Sequence, residues 1–301
     1  MLEARAFEPD FLRRLDRLVL AIKRARAERA GRRTIGRVQG AGLEFENFRQ
    51  YSEGDDLRFL DWSALARLDD LFIRTYRPER EVEVTVFIDA SASMALPEGD
   101  DKFGLARALG AALAYVAMSD NDAVRLAAFG MRRGAVKLWA TDFHRRRESY
   151  LGFKPFLTGL ESAGETRLGA AAGELLLERR AKGVVIVISD FLTNPIDYQE
   201  ALSRLTAAGH EVKVVHVMGE RESTGSYPPG LYRVRDCETG NIRDVVFGAR
   251  AAQACRARAE QLAARLRDFC TAREISYSPA FGAAAFDEIV EREFPKLGLV
   301  R

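Results

Sequence analysis

Residues 82–94, V-E-V-T-V-F-I-D-A-S-A-S-M, set an aliphatic, β-branched run directly before an acid and two serines at alternate positions. Charged flanks and an apolar interior are the pattern of a strand buried on both faces. Residues 102–118 follow with Phe103, Ala106, Leu109, Ala112, Leu113 and Val116 at helical spacing. A buried strand that ends in Asp89 and leads into a helix puts that carboxylate at the C-terminal edge of an α/β sheet, where open sheets of this class hold their ligands.

The same rhythm continues. Residues 123–129 predict a strand after the turn Asp120-Asn121-Asp122, with residues 135–139 as its hairpin partner. Residues 145–160 predict mixed helix and loop with a solvated run of arginines, and residues 168–180 a helix. V-V-I-V-I-S at 184–189 is the clearest buried strand, and a second acid, Asp190, stands at its end. Helix 195–208, strand 211–218, helix 249–272, strand 275–278 and helix 283–294 complete the series. The pattern predicts an α/β fold with a doubly wound, mostly parallel sheet over residues 82–301. A β-hairpin over 231–247, turning at Glu238-Thr239-Gly240-Asn241, interrupts it.

Two smaller pieces precede that domain. Residues 1–33 form an N-terminal basic amphipathic helix, with Phe11, Leu15, Leu18, Val19 and Ile22 on one face, arginines on the other and Gly31 at its end. Its simplest role is to dock on the body with the basic face solvated. Residues 34–81 read as a small β-rich subdomain punctuated by Gly36, Gly40, Gly42 and Gly54. Its G-R-V-Q-G-A-G run lacks the Lys-Ser/Thr end and the strand-loop-helix setting of a phosphate loop. Asp55, Asp56, Arg58, Asp61, Arg67 and Arg74 predict a paired charge network, since arginine neighbours hold such acids ionised and bonded.

Composition narrows the partners. A net charge of +2 demands no polyanion, and the arginine-rich helix lacks the interleaved aromatics of a nucleic-acid binder. No run approaches the ~18 apolar residues of a membrane span, and the N-terminus carries no signal core, so the expectation is a cytoplasmic protein without a transmembrane segment. Cys237, Cys255 and Cys270 show no C-x-x-C pairing and read as packed thiols. His144, His210 and His216 do not fall at zinc spacing with them.

Parallel neighbouring strands bring the loops after Asp89 and Asp190 to one sheet edge, and the loop holding Thr166 can reach it. Two carboxylates and the hydroxyls of Ser91, Ser93 and Thr166 then converge, a donor set for a hard cation such as Mg²⁺ or Mn²⁺. Few carboxylates among neutral hydroxyls leave that cation residual positive charge, which attracts an acid from a partner. The competing structural reading makes Thr166 a helix N-cap and lets Asp89 and the serines cap the next helix.

D-A-S-A-S with a later Thr and a later Asp resembles the metal-ion-dependent adhesion site (MIDAS) of von Willebrand factor A domains, matched here by Asp89, Ser91, Ser93, Thr166 and Asp190. The block G-A-G-L-E-F-x-x-x-R-x-Y-x-x-G-D-D-x-R-x-x-D-W, residues 40–62, resembles the bacterial domain-of-unknown-function family 58. Members of that family carry a von Willebrand A-like domain and are commonly encoded beside MoxR-type AAA+ ATPases. The resemblance implies that Ser91 and Ser93 bind metal directly, Asp89 and Asp190 directly or through water, and Thr166 in one of two loop states. It also implies a non-enzymatic protein-interaction module, with a partner's Asp or Glu completing the metal shell. On this reading the module is an adaptor for a MoxR-type ATPase, with no catalytic residues. The alternative is a metal-dependent, phosphatase-like hydrolase using Asp89 and Asp190; Ser91 stands where aspartyl phosphatases of the haloacid dehalogenase type place their second acid.

Overall fold

The computed structural model describes residues 2–29, 43–68, 70–78, 82–132, 134–178, 181–237, 240–282 and 286–299. Two compact units are distinguished: residues 1–23 with 82–301, and residues 24–81.

The larger unit begins with α1 (Leu2–Arg5) and the first turns of α2 (Pro9–Arg29). The smaller unit holds β1 (Leu43–Gln50), α3 (Trp62–Leu68) and β2 (Phe72–Pro78). The larger unit then resumes with β3 (Glu83–Asp89), α4 (Lys102–Met118), β4 (Ala123–Arg132), β5 (Ala135–Ala140), α5 (Phe153–Gly159), α6 (Leu168–Leu177) and β6 (Val184–Ser189). It continues through α7 (Pro195–Ala207), β7 (Glu211–Met218), α8 (Glu220–Thr224), β8 (Gly230–Arg235) and β9 (Ile242–Phe247), and closes with α9 (Ala249–Thr271), β10 (Ser276–Phe281) and α10 (Phe286–Leu297).

The main sheet has six strands in the order β10-β7-β6-β3-β4-β5. All pairings are parallel except that of β4 with β5, the predicted hairpin. Counted along the chain this is the doubly wound order, with its reversal between β3 and β6. The fold is therefore α/β, with the doubly wound, mostly parallel sheet that the sequence pattern predicts.

Side-chain alternation explains why the strands read as unbroken apolar runs. Val84, Val86 and Ile88 join Leu126 and Ile186 in a core under α2, α4 and α10, while Phe87 and Phe129 join Val185 and Val187 under α6, α7 and α9. Helix α4 is more deeply placed than its spacing implies: every residue except Arg107 is buried. The reason is the N-terminal helix, whose Phe11, Leu15, Val19 and Ile22 pack into the same core, with Phe11 and Phe286 rings stacked at 4.9 Å. Arg5 and Arg14 both reach Asp287, so part of the basic face is used in docking.

In the smaller unit β1 and β2 pair antiparallel, with a bulge between Phe45 and Asn47. Among the described residues, part of the predicted pairing is present. Asp55 is held by Arg49, outside the predicted set, at 2.7 and 2.5 Å, and Asp56 by Arg58. Asp61 accepts the Ser63 and Ala64 N–H groups at the start of α3, and Arg67 reaches the Ser63 carbonyl. The arginine beside each carboxyl holds Asp55 and Asp56 below the usual range. The Arg74 side chain, the 36–42 glycine run and Gly31 lie outside the described residues.

β8 and β9 pair as the expected hairpin, separate from the main sheet. Cys270 is buried, but Cys237 is exposed, because it falls beyond the end of β8 at the hairpin turn rather than in a core. Among the described residues no helix is long and apolar enough to cross a membrane.

Candidate metal centre

Asp89 is the last residue of β3 and Asp190 follows the last residue of β6, so the two acids flank the point where the strand order reverses. Ser91 and Ser93 lie in the turn after β3, and Thr166 just before α6. Backbone hydrogen bonds join these loops. The Ala92 N–H donates to the Gly164 carbonyl and the Ala163 N–H to the Ala90 carbonyl, while the Thr193 hydroxyl lies 3.4 Å from the Thr166 carbonyl. All five predicted residues are buried.

Asp89 is held at both oxygens. Oδ1 accepts the Ser91 N–H at 2.8 Å, and Oδ2 accepts the Ser189 hydroxyl at 2.6 Å. Ser189, which sequence reasoning passed over, also takes the Phe191 N–H at 2.9 Å, tying the two strand ends together. The Ser91 and Ser93 hydroxyls lie 3.0 Å apart. Burial first, and then the like charge of Asp190, push the Asp89 carboxyl well above its ordinary range.

The helix-cap alternatives are not what the side chains do. Ser91 makes no side-chain cap bond, and α4 is preceded by Asp101 at φ 45°, far along the chain from the serines. At the start of α6 the N–H groups of Leu168 and Gly169 are taken by the Asp197 carboxylate from the first turn of α7, at 2.9 and 3.1 Å. A residue 29 positions downstream of Leu168 thus does what Thr166 was suited to do locally.

Two further charges complete the site. The Lys102 ammonium, on a fully buried side chain, lies 2.8 Å from Asp190 Oδ2 and 2.8 and 3.0 Å from the two oxygens of Glu222 on α8. Burial lowers the lysine's pKa, and the two acids more than reverse this, leaving it raised. Burial raises Glu222 against the pull of Lys102. The sequence held one signal: a lysine at the first position of an apolar helix, where the helix dipole disfavours a cation. Asp101 and Phe191, the neighbours of Lys102 and Asp190, both hold positive φ, 45° and 52°. For a residue as bulky as phenylalanine this backbone costs on the order of 1–3 kcal/mol, and such strain gathers at functional sites.

The donor set fits a small hard cation. Adjacent corners of an octahedron with bonds of ~2.1 Å are ~3.0 Å apart, and the serine hydroxyls are 3.0 Å apart. Among the described residues no three His, Cys, Asp or Glu side chains form a metal-ligand group. Any cation held here would therefore need the hydroxyls as donors. With all groups ionised, Asp89, Asp190 and Glu222 face one ammonium, a net deficit of two positive charges that a divalent cation would supply.

The model of the family described as Protein of unknown function DUF58 matches residues 47–268. The chain belongs to this family. The DUF58 match runs from β1 to α9, so it takes in both units and all five candidate residues. The uncharacterized proteins Rv1480 of Mycobacterium tuberculosis and Mb1516 of Mycobacterium bovis are each 29% identical over 70% of this chain, which spans 65% of their length. Among solved structures, conserved hypothetical protein BatB from Bacteroides thetaiotaomicron is 16% identical, covering 72% of this chain and 98% of its own, with a TM-score of 0.38. An aerotolerance-related membrane protein from Bacteroides fragilis is 14% identical, covering 69% of this chain and 96% of its own, with a TM-score of 0.37.

Proposed function

We propose that this DUF58 protein is a metal-dependent protein-interaction module without catalytic activity, in which Asp89, Ser91, Ser93, Thr166 and Asp190 hold Mg²⁺ or Mn²⁺. The observation that carries this reading is the pair of serine hydroxyls 3.0 Å apart beside a buried carboxylate at the sheet's switch point. When bound, the metal supplies a Lewis-acidic centre that takes an Asp or Glu from a partner protein. The chain's own work is to orient. Ser189 and the Ser91 N–H fix the Asp89 carboxylate, and Lys102 with the Leu192 N–H fixes that of Asp190. The partner, on the same reading, is a MoxR-type AAA+ ATPase or a client it remodels, and the module serves as a cytoplasmic adaptor.

One feature of Lys102 bears on the hydrolase alternative, because a lysine beside an active-site acid is what that chemistry uses. Here the ammonium is spent on Asp190 and Glu222 and has no exposed surface, and Asp89 is equally inaccessible. An ammonium already paired with two acids is not free to take a substrate phosphate, which supports binding over turnover.

The test is Mg²⁺ and Mn²⁺ titration calorimetry on chelator-stripped protein, for wild type beside Asp89→Ala and Ser93→Ala. Saturable binding lost in both variants is the expected result. Its absence at millimolar metal would overturn the metal-dependent reading. Chelator-sensitive co-elution with a MoxR-type ATPase checks the partner, and phosphatase turnover that requires Asp89 would favour the hydrolase.

A further inference from the structure

Beside Asp190, between α7, α8 and α9, lies a cavity of about 660 Å³, within the ~300–1,000 Å³ range of small-molecule sites. Phe191, Met218 and Leu262 supply apolar wall. The charges around it are unequally committed. Asp190 and Glu222 are bound to Lys102, and Arg221 is engaged with Asp100 and the Glu98 carbonyl. Arg258 and Arg265 line the same cavity and, among the described residues, form no ion pair with an acid. They stand two turns apart on α9, with Leu262 between them. The Tyr198 side chain in the wall is buried.

We propose that this cavity is a binding site for a small amphipathic organic anion, such as a medium-chain fatty carboxylate. The apolar body fills the space between Phe191, Met218 and Leu262. The anionic head is paired by Arg258 or Arg265 at the mouth. The site is separate from the metal ligands in everything but Asp190, and it requires no metal. Its occupant differs in chemistry from the acidic protein side chain sought by the metal.

The experiment titrates the full chain with anilinonaphthalene sulfonate, followed by fluorescence and calorimetry, with decanoate as competitor. One saturable site, emptied by decanoate, is expected. Cys255→Trp, and independently Ala259→Phe, fill the cavity and weaken the probe about tenfold or more, with the circular dichroism spectrum and melting midpoint as checks that each variant folds. The pair Arg258→Ser and Arg265→Ser weakens the sulfonate about fivefold or more and leaves the uncharged N-phenyl-naphthylamine unchanged. Probe binding indifferent to both folded cavity-filling variants, or no saturable binding in wild type, overturns the site. Equal loss of charged and uncharged probes in the arginine variant overturns the anionic class.

Discussion

The Lys102 ammonium and the Asp190 carboxylate meet at 2.8 Å with side chains 0% and 1% exposed. A buried pair of this kind is weak evidence of net stabilisation, but removing one partner leaves an uncompensated charge. Lys102→Met abandons both Asp190 and Glu222. We expect a loss of about 3–5 kcal/mol in urea denaturation. Adding Glu222→Gln recovers part of it, a non-additivity that a double-mutant cycle reads directly. Mg²⁺ stabilises Lys102→Met more than wild type, because the competing internal cation is gone. A Lys102→Met protein as stable as wild type would show that the ammonium is not neutralising these acids.

The raised Asp89 pKa gives the metal a pH signature. Burial, with Asp190 second, favours the protonated form in the folded chain. In metal-free protein the Asp89 contribution to stability is therefore complete below the ordinary carboxylate pKa of about 3.9 and is lost as pH rises through the higher folded value. A bound cation requires the ionised form and displaces the proton. The rise in melting midpoint on adding Mg²⁺ is thus small at about pH 5 and large at about pH 8, and Asp89→Asn abolishes the difference. A Mg²⁺ effect of equal size at both pH values would refute this linkage.

His216 acts in the opposite direction. Buried in β7, its Nδ1 lies 2.9 Å from the Tyr277 hydroxyl, and the rings of Phe191 and Phe281 pack edge-on against it. Burial lowers its pKa to about 4. Its neutral form stabilises the fold fully above an unfolded value of about 6.5, and this is lost as pH falls toward the folded value, in total on the order of 3 kcal/mol. Denaturation curves from pH 7 to 4 should steepen for wild type and flatten for His216→Gln. Identical slopes would remove His216 from the acid limb.

The regular elements were legible because their periodicity reports burial directly. Residues 184–188 are apolar throughout, since α4 covers one face of β6 and α7 the other. The ends of β3 and β6 followed from the same runs, and with them the loops that carry the two acids. What stayed hidden depends on long-range contact. Lys102 and Glu222 are 120 positions apart, and neither segment names the other as its partner. Asp197 takes the cap of α6 only because α7 begins beside it. The burial of all of α4 but Arg107 is set by the N-terminal helix, whose apolar face was expected to dock on the body but did not name α4 as its partner. In the smaller unit the pairing of Asp56 with Arg58 was legible because the two lie in one turn, whereas Asp55 took Arg49 from the end of β1.

Gly164 links the third loop to the first. Its carbonyl accepts the Ala92 N–H at 2.8 Å, between the two candidate serines. It does so at φ +77°, and an added Cβ would meet the Met131 Cβ at 2.5 Å and the Met131 carbonyl oxygen at 2.9 Å. Alanine there is strained by its backbone and obstructed by β4, so neither relaxation alone relieves it. Gly164→Ala should destabilise the fold by about 1–3 kcal/mol. More tellingly, moving the 163–166 loop displaces Thr166 and the Ala92 turn together, so Mg²⁺ affinity falls by about tenfold or more in protein that remains folded. Ala163→Gly, in the same loop but free of both constraints, is the control. If Gly164→Ala and Ala163→Gly bind metal equally, the loop does not hold the serines, and the hydrogen bond from Ala92 is incidental to the site.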